Sequence, residues 1–375
     1  MRELRLVEAV CLVAGAGIGG GIMAVPYLAA RAGFWPALLI MLVALTVSLT
    51  LHLMIAELSI RTDYSSELLT VFSRHLFRNR KSLRLVFYVL MAITLICLLA
   101  AYITGASDIL VDLFGLPAAL AKILYFAVAA AVVFGGLKRL AINEVVAVSI
   151  MLTLLALLVI TTLLLPAHRA LAVAPGEPSA LLAVYGMAMF SFSSLFAVPQ
   201  AAAGLRGNKR RLVLAVGLGL LINVVVTITI TMCAIISSEP VTQVAIIGWA
   251  AALGGIMRAL GPLFIVLAML TTFWSISLQL ADMTREFFHT SRIPSWLLAT
   301  MPAFLMALLP LSRFLELMQI AGGATAIIIA LMAVPAYRSA VRGADRLLLG
   351  RAGKSRAVCS IIIGMYLLMA IASFV

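Results

Sequence analysis

Eleven long apolar segments, joined by short polar loops, account for nearly all of this 375-residue sequence. They cover residues 5–31, 34–60, 84–110, 117–136, 142–165, 179–204, 211–237, 258–288, 294–310, 313–337 and 356–375. Most of them are long enough to cross the ~30 Å hydrocarbon core of a bilayer as an α-helix. Because 64% of the residues are hydrophobic and only 11% are charged, the composition excludes a soluble domain. We therefore predict an all-α polytopic membrane protein.

The basic residues predict how these spans are oriented. If the N-terminus is cytoplasmic, 22 of the 27 lysines and arginines fall on the cytoplasmic side and five on the outer side. This asymmetry follows the positive-inside rule, and one miscounted span would destroy it. Eleven crossings of the cytoplasmic (inner) cell membrane then place the C-terminus on its outer side. The net charge of +13 thus reflects topology and predicts no nucleic-acid partner.

The first and sixth spans contain matching interruptions. Residues 15–21 (GAGIGGG) are followed by Ala-Val-Pro at 24–26, and residues 190–194 (FSFSS) are followed by Ala-Val-Pro at 197–199. Inside a bilayer, each backbone group that a break frees costs several kcal/mol unless protein, water or ligand satisfies it. Matched breaks at corresponding positions of two halves indicate the central binding site of a transporter.

The chain also divides into two halves of similar length. Residues 1–165 contain five spans, and residues 179–337 contain another five. Because each half has an odd number of crossings, the second half enters the membrane from the opposite side, which is the pattern of an inverted repeat. Segment 166–178, with three prolines and a glycine, is predicted to be an extracytoplasmic linker. Residues 338–375, a basic cytoplasmic loop and the eleventh span, lie outside the repeat.

The first break has the chemistry to bind a zwitterion. Backbone amides at Gly19, Gly20 and Gly21 would open the outer half-helix and suit a carboxylate. Carbonyls that end the inner half-helix, near Gly15 and Ile18, would suit a cation. The alternative is that these glycines serve close helix packing, as they often do in membrane proteins.

The sixth break predicts the other part of a substrate site. Its carbonyls would attract an ammonium group, and Phe190 and Phe192 would line a side-chain pocket. Alternatively, its serines bond back to their own helix. In span three, Tyr102 belongs either to the site or to an aromatic belt at the membrane interface. The predicted substrate-binding residues are Ala16, Gly17, Ile18, Gly19, Gly20, Gly21, Tyr102, Phe190, Ser191, Phe192 and Ser193.

Ion coupling has two sets of candidate residues. In span eight, the adjacent hydroxyls of Thr271 and Thr272 either cap their own helix or complete an oxygen cage for a hard cation. His52 is the deepest ionisable candidate, and it either relays protons or faces a polar seam. The carboxylates considered, which lie mostly near span ends, are Glu57, Asp108, Asp282 and Glu316.

The sequence does not indicate an enzyme. Its four histidines are scattered, and no paired carboxylates lie mid-span. All four cysteines fall inside apolar spans without a metal-binding spacing, so we predict buried thiols and no cofactor.

These motifs carry a resemblance to a known family. The run at 15–34 (GAGIGGGIMAVPYLAARAGF), followed by a long apolar span ending in Ala56-Glu57-Leu58, resembles the start of amino-acid permeases. The break at 190–199 and the motifs AGGAT and VPA in span ten fit as well. Over its whole length the chain resembles the amino acid–polyamine–organocation superfamily. The nearest branch is that of the hydroxy- and aromatic-amino-acid and amino acid/auxin permeases.

The resemblance implies a leucine-transporter-type fold, a 5+5 inverted repeat that binds substrate between spans one, three, six and eight. By the same analogy, a sodium site would use the residues Gly15, Ile18, Ala268, Thr271 and Thr272. Some proton-coupled relatives place a lysine from span five in that cavity, and span five here has none. Many relatives of this branch are proton symporters, so the coupling ion is sodium or a proton.

The sequence therefore favours an ion-coupled symporter of neutral amino acids, including aromatic or hydroxy ones. A receptor of the same fold, such as a spore-germinant sensor, is one alternative. A transporter of another organic solute, such as a polyamine or nucleobase, is another. A polycation would require a mid-membrane carboxylate, and we expect none near the breaks. The expected partners are thus a small-molecule amino acid and the lipid bilayer.

Overall fold

The computed structural model describes residues 3–78, 80–164, 171, 176–309, 314–343 and 347–372. Within these residues the chain is helical and contains no strand. The α-helices are α1 (Leu6–Gly17), α2 (Gly21–Ala32), α3 (Phe34–Arg61), α4 (Leu68–Phe72), α5 (Lys81–Phe114), α6 (Ala118–Phe134), α7 (Leu137–Leu163), α8 (Pro178–Ser191), α9 (Ala197–Gly204), α10 (Lys209–Ser237), α11 (Ala245–Leu253), α12 (Met257–Phe288), α13 (Arg292–Ala307), α14 (Phe314–Ala340) and α15 (Arg356–Ala372). A π-helical turn, Ser73–Phe77, continues α4, and a 3₁₀ turn, Gly350–Lys354, precedes α15.

The predicted all-helical membrane fold is confirmed. Each of the eleven predicted segments coincides with helix in the described chain. Six helices are long and apolar enough to cross a bilayer, namely α3, α5, α7, α10, α12 and α14, the last by its residues 320–340. The bent pair α1 and α2 meets the same criterion when taken as one span. The remaining apolar helices are shorter, so the number of crossings and the inverted repeat stay predictions.

Both predicted breaks are present. Helix α1 ends at Gly17 and α2 begins at Gly21, with their axes 56° apart. Helix α8 ends at Ser191, and α9 begins at Ala197. The two breaks lie against each other, because α2 packs on α8 and a Cβ added to Gly21 would lie 2.6 Å from the Cα of Ser191.

One end of the bundle gathers the loops predicted to be cytoplasmic. Lys138 at the start of α7 pairs with Glu8 near the start of α1, at 2.5 Å. Arg84 of α5 pairs with Glu286 near the end of α12, at 3.2 Å. The short helix α4 also packs there with buried apolar side chains. The structure thus places these segments together, as the predicted topology requires.

The other end carries residues predicted to be extracytoplasmic. Arg31 at the end of α2 pairs with Glu177 before α8, at 2.8 Å. The amide of Gly176 donates to the carbonyl of Ala32, at 3.0 Å. Most of the predicted linker 166–178 lies outside the described residues.

Candidate functional site

A small cavity lies where the two breaks meet. Its volume is about 30 Å³, which leaves room for water but is far below the roughly 300–1,000 Å³ of a typical small-molecule pocket. It is lined by Ala16, Gly17, Gly19, Gly20, Gly21, Leu98, Tyr102, Phe190, Ser193, Ser194, Phe196, Thr272, Ser275, Ile276, Gly322 and Thr325. These residues come from both breaks and from α5, α12 and α14, so the cavity is the point at which most of the bundle converges.

Most of the predicted substrate residues line this cavity. They are Ala16, Gly17, Gly19, Gly20, Gly21, Tyr102, Phe190 and Ser193. The other three, Ile18, Ser191 and Phe192, are not among the lining residues. Ile18 and Phe192 point into the packed interior, where both are fully buried.

The glycines of the first break permit close helix approach. A Cβ on Gly19 would lie 2.6 Å from the hydroxyl oxygen of Thr272 on α12. A Cβ on Gly17 would lie 2.5 Å from the Ser194 hydroxyl and would also overlap the Asn223 amide. The packing role considered for these glycines is therefore real, and it occurs at the wall of the cavity.

Three backbone groups at the sixth break are satisfied by side chains from two other helices. From α10, Asn223 donates its Nδ2 to the Ser191 carbonyl at 2.8 Å. From α3, the Ser48 hydroxyl donates to the Phe192 carbonyl at 2.6 Å. His52 Nε2, also on α3, accepts from the Ser194 amide at 3.0 Å. These bonds hold the break open at little cost in unpaired polar groups.

Two of the three serine hydroxyls of the break do not bond back to the preceding turn. The Ser191 and Ser194 Oγ atoms are buried and have no hydrogen-bond partner in the described chain. The back-bonding alternative is therefore wrong for these two residues. Because Ser194 lines the cavity, its hydroxyl is available to a bound molecule.

His52 is fully buried, and one of its ring nitrogens bonds to the sixth break while the other bonds to its own helix. Its Nδ1 lies 2.6 Å from the Ser48 carbonyl, while Nε2 accepts the Ser194 amide proton. This pattern assigns a neutral ring with its proton on Nδ1. In this arrangement His52 holds the break in place, and its proposed proton relay stays a prediction.

Tyr102 lies inside the bundle rather than at a membrane interface. Its side chain is 1% exposed and lines the cavity. Its hydroxyl lies next to the backbone of Gly20 in the first break. Span three thereby contacts the segment whose amides are predicted to receive a carboxylate.

Most of the predicted sodium ligands also come together. The Thr271 hydroxyl oxygen lies 3.0 Å from both the Gly15 and Ala268 carbonyl oxygens. The Thr272 hydroxyl oxygen lies 3.0 Å from the Ala268 carbonyl and 3.5 Å from that of Gly15. Ile18 follows directly after α1 as its C-cap. The hydroxyls therefore bond within their own helix, and they also reach the first break. The capping interpretation is confirmed, and the cation cage stays a prediction.

The expectation that no carboxylate lies near the breaks is wrong. Glu144 of α7 is fully buried, and its carboxylate lies so close to Gly15 that a Cβ there would overlap it. Neither of its oxygens has a hydrogen-bond partner in the described chain. The available signal was a lone glutamate inside an apolar span, which by default indicates a functional site. The sequence analysis also did not single out Asn223, another polar residue inside an apolar span.

A larger cavity of about 500 Å³, here called the vestibule, opens at the end that carries the predicted cytoplasmic loops. It reaches Leu278 on α12, one helical turn beyond Ser275, which lines the small cavity. Glu67, in the loop before α4, lies at its wall. Burial and the neighbouring carboxylates of Glu286 and Asp282 raise the pKa of Glu67 to about 9.

Comparison with known proteins identifies the family. The chain matches the model of the tryptophan/tyrosine permease family over residues 2–371. It belongs to the tryptophan/tyrosine permease family. This membership supports a multi-pass membrane transporter of a small molecule rather than an enzyme, and it agrees with the broader superfamily resemblance.

Solved structures with the same fold are also transporters. A manganese transporter from Eremococcus coleocola, in complex with an aromatic bis-isothiourea substituted compound, matches with a TM-score of 0.72 and 15% identity over 98% of this permease and 85% of that chain. Two crystal structures of mutants of that transporter match with TM-scores of 0.70 and 0.71 at 14% identity, with the same coverage. At such identity the likeness shows a shared fold alone. No curated protein matches the chain.

Proposed function

We propose that this permease is a symporter that carries neutral amino acids, aromatic ones in particular, by ion-coupled alternating access. One observation carries the proposal: two helix breaks meet at a single cavity in a chain of the tryptophan/tyrosine permease family. In this proposal the two halves form the leucine-transporter-type 5+5 inverted repeat in the cell membrane. The vestibule is then the path from the site to the cytoplasm.

The polar side of the cavity suits an amino-acid backbone. Gly20 and Gly21 lie at the start of α2 and line the cavity, so their amides and the helix dipole favour a carboxylate. The Ser194 hydroxyl lines the cavity and has no hydrogen-bond partner in the described chain. Because a hydroxyl oxygen can accept hydrogen bonds, it suits a substrate ammonium.

The apolar side suits a hydrophobic side chain. Leu98, Phe190, Phe196 and Ile276 form this wall. The described cavity of about 30 Å³ is far smaller than a typical ligand pocket, so an aromatic substrate requires a wider state. The Phe190 ring packs directly over Gly322, where a Cβ would overlap it. Rotation of this side chain away from α14 is the change that would enlarge the cavity without moving backbone.

Two other substrates are less well supported. Glu144 is absent from the residues lining the cavity, because it lies behind Gly15; it therefore does not favour a polycation. The structural neighbours transport manganese, but no group of three or more His, Cys, Asp or Glu side chains in the described chain is arranged to hold a metal ion. A receptor of the same fold would have the same site geometry as a transporter, so only a measurement of transport separates the two functions.

Transport by the purified full-length protein in proteoliposomes tests this proposal. Labelled tryptophan, tyrosine, phenylalanine, serine and threonine would be supplied with sodium and pH gradients imposed separately, and putrescine and Mn²⁺ would serve as comparators. We expect gradient-driven uptake of at least one aromatic amino acid. Binding without uptake would favour the receptor. Uptake of only putrescine or Mn²⁺ would refute the amino-acid assignment.

A further inference from the structure

We propose that the Glu144 carboxylate is the anionic ligand of a sodium site formed with the Gly15 carbonyl and the Thr271 and Thr272 hydroxyls. The inference deepens the proposed function, because it names the residue that would make ion binding at this place favourable. It rests on a buried side chain that neither break supplies and that no predicted ligand set includes.

The geometry brings three helices to one point. Gly15 belongs to α1, Thr271 to α12 and Glu144 to α7. A Cβ added to Gly15 would overlap the Glu144 carboxylate and would lie 3.3 Å from the Thr271 Cβ. The Thr271 hydroxyl oxygen is 3.0 Å from the Gly15 carbonyl oxygen. Glycine is required here because a side chain would occupy the space between the carboxylate and the threonine.

The Glu144 carboxyl group requires a partner. Both of its oxygens are buried and without a hydrogen bond in the described chain, and the residue is fully inaccessible to solvent. An isolated ionised carboxylate in such a place costs many kcal/mol, so the group either takes up a proton or pairs with a cation. We assign the cation because carbonyl and hydroxyl oxygens lie at the same point. A monovalent cation bound here would balance the charge and use carboxylate, carbonyl and hydroxyl oxygens, which hard cations prefer.

The position explains how an ion would affect substrate. Thr272 lines the small cavity, and its hydroxyl also faces Gly19 and the Gly15 carbonyl. A cation that joins α1, α7 and α12 would therefore order the wall of the substrate cavity. An ion drives transport only if it binds one conformation better than another. Ligands on three separate helices provide that difference, because a shift of any one helix dismantles the site.

Direct sodium binding to purified full-length protein tests the site without transport. We would measure ²²Na⁺ binding and the sodium-dependent rise in melting temperature, both without amino acid and against choline. We expect saturable binding to the unmodified protein. Glu144→Gln should weaken it by about tenfold or more, since removing one partner of a buried charge pair costs several kcal/mol. Thr271→Val should weaken it by a smaller factor.

The matched control is Glu8→Gln, which removes another largely buried carboxylate, one already paired with Lys138 at 2.5 Å. Its sodium affinity should equal that of the unmodified protein. If Glu144→Gln does not fold, Glu144→Asp and Gly15→Ala replace it. The first shortens the carboxylate and the second displaces it, so each should lower sodium affinity while the charge is kept.

The outcomes separate this inference from the proposed function. Unchanged sodium affinity in Glu144→Gln, or in both Glu144→Asp and Gly15→Ala, would overturn the inference. So would an unmodified protein that binds no sodium and transports an aromatic amino acid on a pH gradient alone; the proposed transport would then stand. Sodium binding that depends on Glu144 in a protein that transports no amino acid would support the site and refute the proposed function.

Discussion

At the scale of single residues, the site depends on glycines, whose lack of a side chain leaves room for atoms of other helices. Gly15, Gly17, Gly19 and Gly21 each let atoms of another helix occupy the place of a Cβ. The sequence showed the cluster but not the partners, because helix periodicity gives no information on which distant helix meets each glycine. Four of the five glycines in residues 15–21 therefore serve both the unwound backbone and its packing.

Gly19→Leu should abolish substrate binding while leaving a folded protein in the membrane. Its Cβ would lie 2.6 Å from the Thr272 hydroxyl oxygen, and the rest of the side chain would fill the cavity. Binding of labelled tryptophan to purified protein measures the effect. Gly217→Leu on α10 is the matched control, because its Cβ meets nothing within 4 Å. Normal uptake by Gly19→Leu would exclude this residue from the site.

His52→Ala should lower stability by about 1–3 kcal/mol, because it leaves the buried Ser194 amide without its acceptor. Thermal unfolding in detergent measures the loss. His52→Gln, whose amide can accept and donate, should retain more stability and also retain uptake. If His52→Gln is stable yet loses only pH-driven uptake, the ring relays protons and its role is more than structural.

At the scale of helices, the sequence predicted the apolar segments and both breaks, since hydropathy and helix-breaking residues report directly on them. It did not predict α11, which lies in a loop and is held by a Trp249 indole bonded to Thr162 at 2.8 Å. It also did not predict which helices would support the sixth break. Asn223, Ser48 and His52 act through tertiary contacts, and a single span gives no signal for them.

The loop before α4 should make stability depend on pH. Glu67 faces Glu286 and Asp282, with Arg285 at 3.7 Å and Arg84 paired to Glu286. Its pKa of about 9 exceeds the ordinary value, so the folded state retains a proton that the unfolded state loses. Stability should therefore fall as pH rises from about 4.5 toward 9, by at most about 1.4 kcal/mol per unit.

Glu67→Gln should remove this dependence. We expect the variant to gain stability over the unmodified protein as pH rises from 5 to 8, measured as the melting temperature in detergent. Glu177→Gln, at an exposed carboxylate of the other end, is the control and should follow the unmodified protein. A constant difference between Glu67→Gln and the unmodified protein across this range would contradict the assigned environment.

At the scale of the whole molecule, the two ends of the bundle agree with the charge asymmetry. The loop after α14 lies at the end of the bundle that carries the predicted cytoplasmic loops, because the Leu348 amide donates to the Glu57 carboxylate at 2.9 Å. Helix α15 starts there and runs along α8 to Ala372, which lies 2.8 Å from where a Gly186 Cβ would be. Its 17 residues span about 25 Å. The last helix thus leads away from the basic loops.

The C-terminus should therefore lie outside the cytoplasm. A fluorescent protein that matures only in the cytoplasm, fused after Val375, should stay dark, while a phosphatase active only outside should work at that position. The same reporters inserted at Gly207, in a basic loop between α9 and α10, should give the reverse result and show that each functions in this protein. Bright fluorescence after Val375 would mean that the chain crosses the membrane an even number of times. The inverted-repeat assignment would survive that result only if the miscounted span were the eleventh. An error within either half would move the basic loops that follow it to the outer side of the membrane, against the positive-inside rule.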